Sequence, residues 1–213
     1  MIVKVCGMRE AENIREVEAL HPDWMGFVFW SKSKRFVGEL PGYMPVHARR
    51  VGVFVDEDAE QVGRIARTYG LDIIQLHGSE SPDYIGQLKS ALALQLGREV
   101  HVVKAFNIGT ADDLAATTAY NGLADYFLFD TKAQLPGGSG RQFDWSFLAA
   151  YDGPTPFILS GGIGPDDVPA LHEWFRTGGP VTEKCIGIDL NSRFELAPGL
   201  KDINKLKTFI QSL

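Results

Sequence analysis

The sequence predicts a single (β/α)8 barrel domain over residues 1–213, in which eight parallel strands are each followed by a helix. Three observations predict it. Short apolar runs alternate with amphipathic segments along all 213 residues, with no linker or low-complexity stretch between them. These runs are continuously β-branched or aromatic rather than alternating, as expected of strands buried on both faces. Residues able to do chemistry fall just after the strand ends, where a barrel gathers them at its C-terminal rim. A doubly wound open sheet is the alternative. Against it, the first strand-to-helix turn, Cys6-Gly-Met-Arg9, lacks the glycine-rich dinucleotide fingerprint.

Taken in order, Ile2–Val5 is an apolar strand that delivers Cys6 at its end, and Gly7 frees the backbone to turn. A helical pattern over Ala11–Leu20 follows. Met25–Phe29 is the second strand; the stretch Pro41–His47 behind it is the weakest helix, holding Pro, Gly and little periodicity. Arg50–Val55 leads into the helix Ala59–Tyr69, and Asp56-Glu-Asp58 between them suits the positive end of that helix. Ile73–Leu76 with Ser81–Leu96, and Val100–Ala105 with Ala111–Tyr120, form the fourth and fifth units. Tyr126–Phe129 pairs with the helix Phe143–Ala150 across the long, glycine-rich segment Gln134-Leu-Pro-Gly-Gly-Ser-Gly-Arg-Gln-Phe-Asp-Trp145. That segment could close over a ligand, or be a flexible loop capped by Asp144. Phe157–Leu159 precedes Pro165–Phe175, with Pro165 suited to the first helical turn. Cys185–Leu190 and Lys201–Ser212 complete the ring.

Composition narrows the function. With 45% hydrophobic and 23% charged residues the chain is ordinary for a globular protein. A net charge of -6 argues against nucleic acid or an anionic membrane as partner, while a small anionic substrate needs only local donors. The N-terminus lacks a basic and apolar leader, and no apolar stretch approaches spanning length, so a cytoplasmic location is the expectation. Cys6 lies at the end of its strand and Cys185 at the start of its own. An offset of about four residues, roughly 3.3 Å each, keeps them more than about 10 Å apart, so both should be free thiols. The five histidines are scattered, and no metal-ligand spacing is present.

Several residues then stand out. Leu159-Ser-Gly-Gly-Ile-Gly-Pro165 ends a strand and opens a helix, so Gly161 and Gly162 could offer N–H groups to a phosphate; a tight structural turn would use the same glycines. Asp189-Leu-Asn-Ser192 supplies the companion loop, with Asp189, Asn191 and Ser192 as candidates. Asp130 closes the apolar run Phe127-Leu-Phe and is expected to be desolvated, which favours general-acid duty; a helix cap or a salt bridge to Lys132 is the bland alternative. Arg35, in Phe29-Trp-Ser-Lys-Ser-Lys-Arg35, would suit an aromatic carboxylate, or be part of a solvated basic loop. His77 follows the fourth strand.

Together these stretches resemble the phosphoribosylanthranilate isomerase family of the tryptophan pathway. The motifs are Lys4-Val-Cys-Gly7, Gly26-Phe-Val-Phe29 with Ser33-Lys-Arg35, Gly52-Val-Phe-Val55, Gln75-Leu-His-Gly78 and Leu135-Pro-Gly-Gly-Ser-Gly140 with Phe143-Asp-Trp145. Leu159-Ser-Gly-Gly-Ile163, Gly187-Ile-Asp-Leu-Asn-Ser192 and Pro198-Gly-Leu-Lys-Asp202 complete the set, in the family's order. The resemblance implies an Amadori rearrangement without metal or organic cofactor, by a monomer or homodimer acting on a small phosphorylated substrate. It implies that Asp130 is the general acid that opens the ribose ring and Cys6 the general base at the sugar C2. Arg35 would hold the anthranilate carboxylate, and Gly161, Gly162 and the Asn191-Ser192 loop the phosphate, with His77 and Asp189 also in the substrate site. Where the family usually reads Ser-Gly-Val-Glu, this chain has Ser192-Arg-Phe-Glu195. Arg193 is expected to point outward. The competing functions are a histidine-pathway isomerase of the same fold, which typically carries an aspartate in place of Cys6 and needs two phosphate sites, and a barrel that binds a phosphorylated ligand without turnover. Strand alternation further predicts that Lys4 shares the face of Cys6 and pairs with Asp189.

Overall fold

The computed structural model describes residues 1–131 and 144–213. Its centre is a closed barrel of eight parallel strands in sequential order: β1 (Ile2–Cys6), β2 (Trp24–Val28), β3 (Arg49–Phe54), β4 (Ile73–Leu76), β5 (His101–Ile108), β6 (Tyr126–Thr131), β7 (Phe157–Leu159) and β8 (Cys185–Leu190). The ring closes where β8 pairs with β1, placing Lys4 opposite Asp189. Both cysteines are free, as their staggered strand positions require.

The helices α1 (Ala11–Glu18), α2 (Ala59–Tyr69), α3 (Pro82–Leu96), α4 (Val168–Thr177), the short α5 (Pro180–Lys184) and α6 (Ile203–Ile210) cover the outside. Local chemistry sets their ends. The Asp58 side chain accepts from the Glu60 and Gln61 N–H groups, and Gly70 ends α2 at φ 60°, a left-handed position that glycine takes without strain.

The structure departs from the regular alternation in five places. No helix lies between β2 and β3. Instead the buried Glu18 carboxylate gathers the segment, accepting from the N–H groups of Val46, His47 and Ala48 at 2.7, 2.7 and 3.3 Å and from the Tyr43 hydroxyl. Those donors hold Glu18 below the usual carboxylate range although burial alone pushes it up, with Tyr43 the strongest of them. The segment Ala111–Tyr120 is a 3₁₀ helix, and a shorter one begins at Trp145 with Asp144 as its cap; Phe143 lies outside the described residues. The helix after β7 starts as a 3₁₀ turn, Pro165–Asp167. Finally, Lys201 does not open the last helix: it belongs to β10 (Leu200–Lys201), which forms a hairpin with β9 (Glu195–Ala197) ahead of α6.

Alternation along the strands sorts the interior. Trp24, Val51, Ile73, Val103, Ala105, Leu128 and Ile158 form an apolar plug inside the barrel. The opposite faces meet the helices, where Phe127, Phe129 and Phe157 are fully buried; truncating any of them to alanine would cost about 3–5 kcal/mol. The inward parity of the plug continues toward the strand ends, and there the side chains change character.

Candidate active site

Cys6 ends β1 opposite Gly26 of β2. A Cβ at Gly26 would sit 2.6 Å from the Cys6 sulfur, so the glycine makes the space the thiol occupies. Two residues earlier on the same face, Lys4 is buried with its ammonium 3.0 Å from Asp189 Oδ2 and 2.8 Å from Gln75 Oε1. The predicted pairing of Lys4 with Asp189 is therefore present. Burial alone would lower the Lys4 pKa, but Asp189 and the neighbouring Cys6 sulfur outweigh it and hold the group above its ordinary value. Burial pushes the Cys6 thiol up, and the ammonium groups of Lys4 and Lys201 pull against it. Asp189 also receives the Ser160 hydroxyl at 3.5 Å on Oδ2, while its Oδ1 is buried without a hydrogen-bond partner.

Arg35 reaches the same corner from the β2 loop. Gly7, at φ 80°, lets it in: a Cβ there would lie 2.6 Å from Arg35 Cδ and 2.8 Å from Asn191 Oδ1. The guanidinium makes a bidentate contact with Glu195, Nε at 2.8 Å and Nη2 at 2.6 Å. Glu195 also accepts from Lys201 Nζ at 2.7 Å, and Lys201 donates to Asn191 Oδ1 at 2.8 Å. Burial would raise Glu195, yet Arg35 and Lys201 hold it below the ordinary carboxylate value. Desolvation lowers Lys201, in spite of Glu195. Sequence reasoning missed Glu195 and Lys201 as site residues. The only signal was that each falls inside a quoted motif, and the hairpin that turns Lys201 inward has no local sequence mark.

On the far side of the rim, Asp130 and His77 face each other, with His77 Nε2 3.4 Å from Asp130 Oδ2. The Thr131 N–H donates to Asp130 Oδ1 at 2.8 Å. Asp130 is only partly desolvated, its side chain 28% exposed, because β6 carries it past the plug to the mouth of the barrel. Lys132, its alternative partner, and the Gly137–Gly140 segment lie outside the described residues. His77 Nδ1 is 2.8 Å from Gln75 Nε2. Behind this loop, the buried pair Lys104–Glu80 (3.0 Å) fastens the backbone, with Lys104 donating to the Gly78 carbonyl and Glu80 accepting from the Gly78 and Asp56 N–H groups.

Gly161 and Gly162 both adopt left-handed conformations, φ 92° and 72°, which favour glycine. A Cβ on Gly161 would lie 2.6 Å from the Thr131 nitrogen, so the loop after β7 is pressed against the end of β6. The Gly164 N–H is already taken by Asp167 Oδ2 at 2.6 Å. Asn191 turns its side chain to Lys201, and Ser192 opens the single 3₁₀ turn Ser192–Phe194. Arg193 is exposed but does not simply project outward. Its guanidinium crosses to the β7 loop, with Nε 3.0 Å and Nη2 3.2 Å from where a Gly164 Cβ would be. The sequence had no way to register that cross-loop contact. Among the described residues, no group of three or more His, Cys, Asp or Glu side chains is placed to hold a metal ion.

The geometry thus puts Cys6, Lys4 and Asp189 in one corner, Asp130 and His77 in another, and the loops after β7 and β8 between them, of which the first carries Gly161 and Gly162. Residues 3–212 match the family model for N-(5'phosphoribosyl)anthranilate (PRA) isomerase. The chain is 47% identical over 219 residues to the N-(5'-phosphoribosyl)anthranilate isomerase of Parabacteroides distasonis, covering 100% of this chain and 93% of that protein. The crystal structure of the phosphoribosylanthranilate isomerase from Thermotoga maritima superposes with a TM-score of 0.79 at 32% identity, covering 100% of this chain and 98% of the other. A phosphoribosylanthranilate isomerase crystallised with reduced 1-(o-carboxyphenylamino)-1-deoxyribulose 5-phosphate gives 0.73 at 28% identity, with the same coverage.

Proposed function

The chain belongs to the N-(5'-phosphoribosyl)anthranilate isomerase family, and from that premise we propose that it converts N-(5-phosphoribosyl)anthranilate to 1-(2-carboxyphenylamino)-1-deoxyribulose 5-phosphate in tryptophan biosynthesis. The one observation that carries the acid–base reading is that a buried thiol beside an ammonium and a solvent-touching carboxylate share the inner face of one rim.

Asp130 gives a proton to the ribose ring oxygen; the C1–O bond breaks, the nitrogen lone pair forms the Schiff base, and the furanose opens. The Cys6 thiolate then takes the proton from C2, the electron pair moves toward the iminium nitrogen, and the enolamine that results becomes the ketone. Each proton transfer of this kind is worth about 10²–10⁴ in rate. Lys4 offsets the charge on the thiolate. Arg35, preset by Glu195, receives the anthranilate carboxylate on the guanidinium edge not engaged by that pair. The N–H groups of Gly161, Gly162 and the Asn191-Ser192 loop hold the phosphate. Asp189 stands behind the substrate site and holds the Lys4 ammonium in place. Every one of these residues comes from a single chain, so a monomer or a homodimer serves equally, in the cytoplasm. No helix among the described residues is long and apolar enough to cross a membrane.

The test is turnover of freshly prepared phosphoribosylanthranilate, followed by loss of anthranilate fluorescence. Chelator-insensitive turnover is the expected result. Binding of the substrate with no loss of fluorescence would leave only a ligand-binding barrel.

A further inference from the structure

We propose that Lys4 and Gln75 are positioning residues that lock His77 as a hydrogen-bond donor toward Asp130, and that this lock keeps the acid proton of Asp130 for the substrate. The inference rests on the reading of Asp130 as the acid and adds a role for three side chains behind it.

The chain of contacts has one consistent assignment. An ammonium can only donate, so the Gln75 atom 2.8 Å from Lys4 Nζ is the amide oxygen. The other end of that amide is then the NH₂ group, and it lies 2.8 Å from His77 Nδ1. Nδ1 must accept that bond, so it carries no proton. The proton of the neutral ring is on Nε2, the atom that faces Asp130 Oδ2 at 3.4 Å. Lys4 and Gln75 are both buried, so neither amide flip nor water exchange competes with this order. Lys4 is itself held by Asp189, which fixes the direction of the whole row from its far end.

The chemistry depends on that direction. With a lone pair on Nε2, His77 would accept the Asp130 proton and divert it from the ring oxygen of the sugar. With N–H there, the imidazole cannot accept. It can only donate, and together with the Thr131 N–H on Oδ1 it stabilises the carboxylate that Asp130 becomes once its proton has left. The same ammonium lies beside the Cys6 sulfur, so acid and base are oriented from one buried cation.

The substitution Gln75→Glu tests the lock with almost no change of shape. A carboxylate still accepts from Lys4, but it presents an oxygen to Nδ1 and so demands a proton there. The imidazole nitrogens of the ¹⁵N-labelled full chain are read by NMR, with His77→Gln identifying the His77 signals among the five histidines. Wild type is expected to show protonated Nε2 and bare Nδ1. Gln75→Glu is expected to reverse them and to lower kcat about a hundredfold, the size of one general acid contribution, while KM moves less than about threefold. Should Gln75→Glu not fold, Gln75→Met is read the same way, with a mixture of tautomers and a fall in kcat expected. A wild-type ring protonated on Nδ1 overturns the proposal, as does a Gln75→Glu protein that keeps the wild-type tautomer or reverses it without loss of kcat. The wild-type spectrum decides the tautomer even if phosphoribosylanthranilate is not turned over, so failure of the isomerase reading would be seen separately.

Discussion

The two corners of the site are built on opposite electrostatic plans. Around Cys6 everything is dry and charged: the thiol is 4% exposed, Lys4 and Lys201 are buried, and Asp189 and Glu195 are their counterions. Around Asp130 the side chains are partly exposed and the close polar neighbours are fewer, the His77 imidazole at 3.4 Å and the Thr131 N–H. The contrast follows from what each corner must do. A base that starts as a thiol has to be drawn toward its charged form, which takes a nearby cation where water is scarce. An acid has to lose its proton to a sugar oxygen and recover it, which solvent contact and weak, orienting donors permit.

The largest expected effect removes the contrast altogether. Cys6→Ala and Asp130→Asn should each lower kcat by at least about a hundredfold, with substrate affinity nearly unchanged in a fluorescence titration. Cys6→Ser should retain almost nothing, since a hydroxyl is a far weaker base than a thiolate. Turnover near wild type in the alanine or the asparagine variant would remove that residue from the reaction.

A second measurement asks whether the dry corner works through its cation. Burial raises the Cys6 thiol and Lys4 opposes that rise, so kcat/KM should climb with pH as the thiolate forms. Lys4→Met removes the opposing charge and should move this climb to higher pH. The loss is then on the order of tenfold at neutral pH, about 1.4 kcal/mol, and it is recovered in alkaline buffer. A loss equal at every pH would show that Lys4 does not act through the charge on Cys6 and would leave only its part in orienting His77.

How far could this division be read from the sequence? Cys6, His77, Asp130 and Asp189 lie at or beyond strand ends, and period-two alternation carries Lys4 and Cys6 to one face, so the core of both corners was legible. The ring of eight strands was legible too, because the runs are mainly apolar and buried on both sides, with few polar interruptions. What escaped was tertiary. Glu18 replaces a helix by collecting backbone N–H groups from residues 46–48, which no periodicity encodes. Lys201 enters the site only because a two-stranded hairpin interrupts the expected final helix. The desolvation of Asp130 is only partial, because an apolar run describes the strand, not the mouth it leads to.

Glu195 sits at the edge of the dry corner and separates its two tasks, holding Arg35 and neutralising Lys201. Glu195→Gln should raise KM about fivefold through a looser Arg35, and should destabilise the fold by about 3 kcal/mol because the buried Lys201 and the partly buried Arg35 lose their counterion. The sign with pH is fixed. Glu195 is lowered in the folded protein, so its contribution is fully present above the unfolded carboxylate value and is lost as pH falls through the folded one. Urea unfolding of the two proteins should therefore differ at neutral pH and converge in acid.

The smallest effect concerns the loops that join the corners. Arg193 lays its guanidinium across Gly164, beside the glycines assigned to the phosphate. It is exposed, so any attraction to a phosphate is screened by water and salt. Arg193→Ala should raise KM by about two- to fivefold, the scale of an exposed ion pair, with kcat unchanged and with the difference shrinking as salt is added. Gly162→Val should cost far more, since Gly162 holds a left-handed φ of 72° and a side chain there would meet the approaching phosphate. A hundredfold loss of affinity in Arg193→Ala, insensitive to salt, would instead make the arginine a buried ligand of the bound phosphate. The mouth would then close over substrate, and the open acid corner described here would belong to the empty enzyme alone.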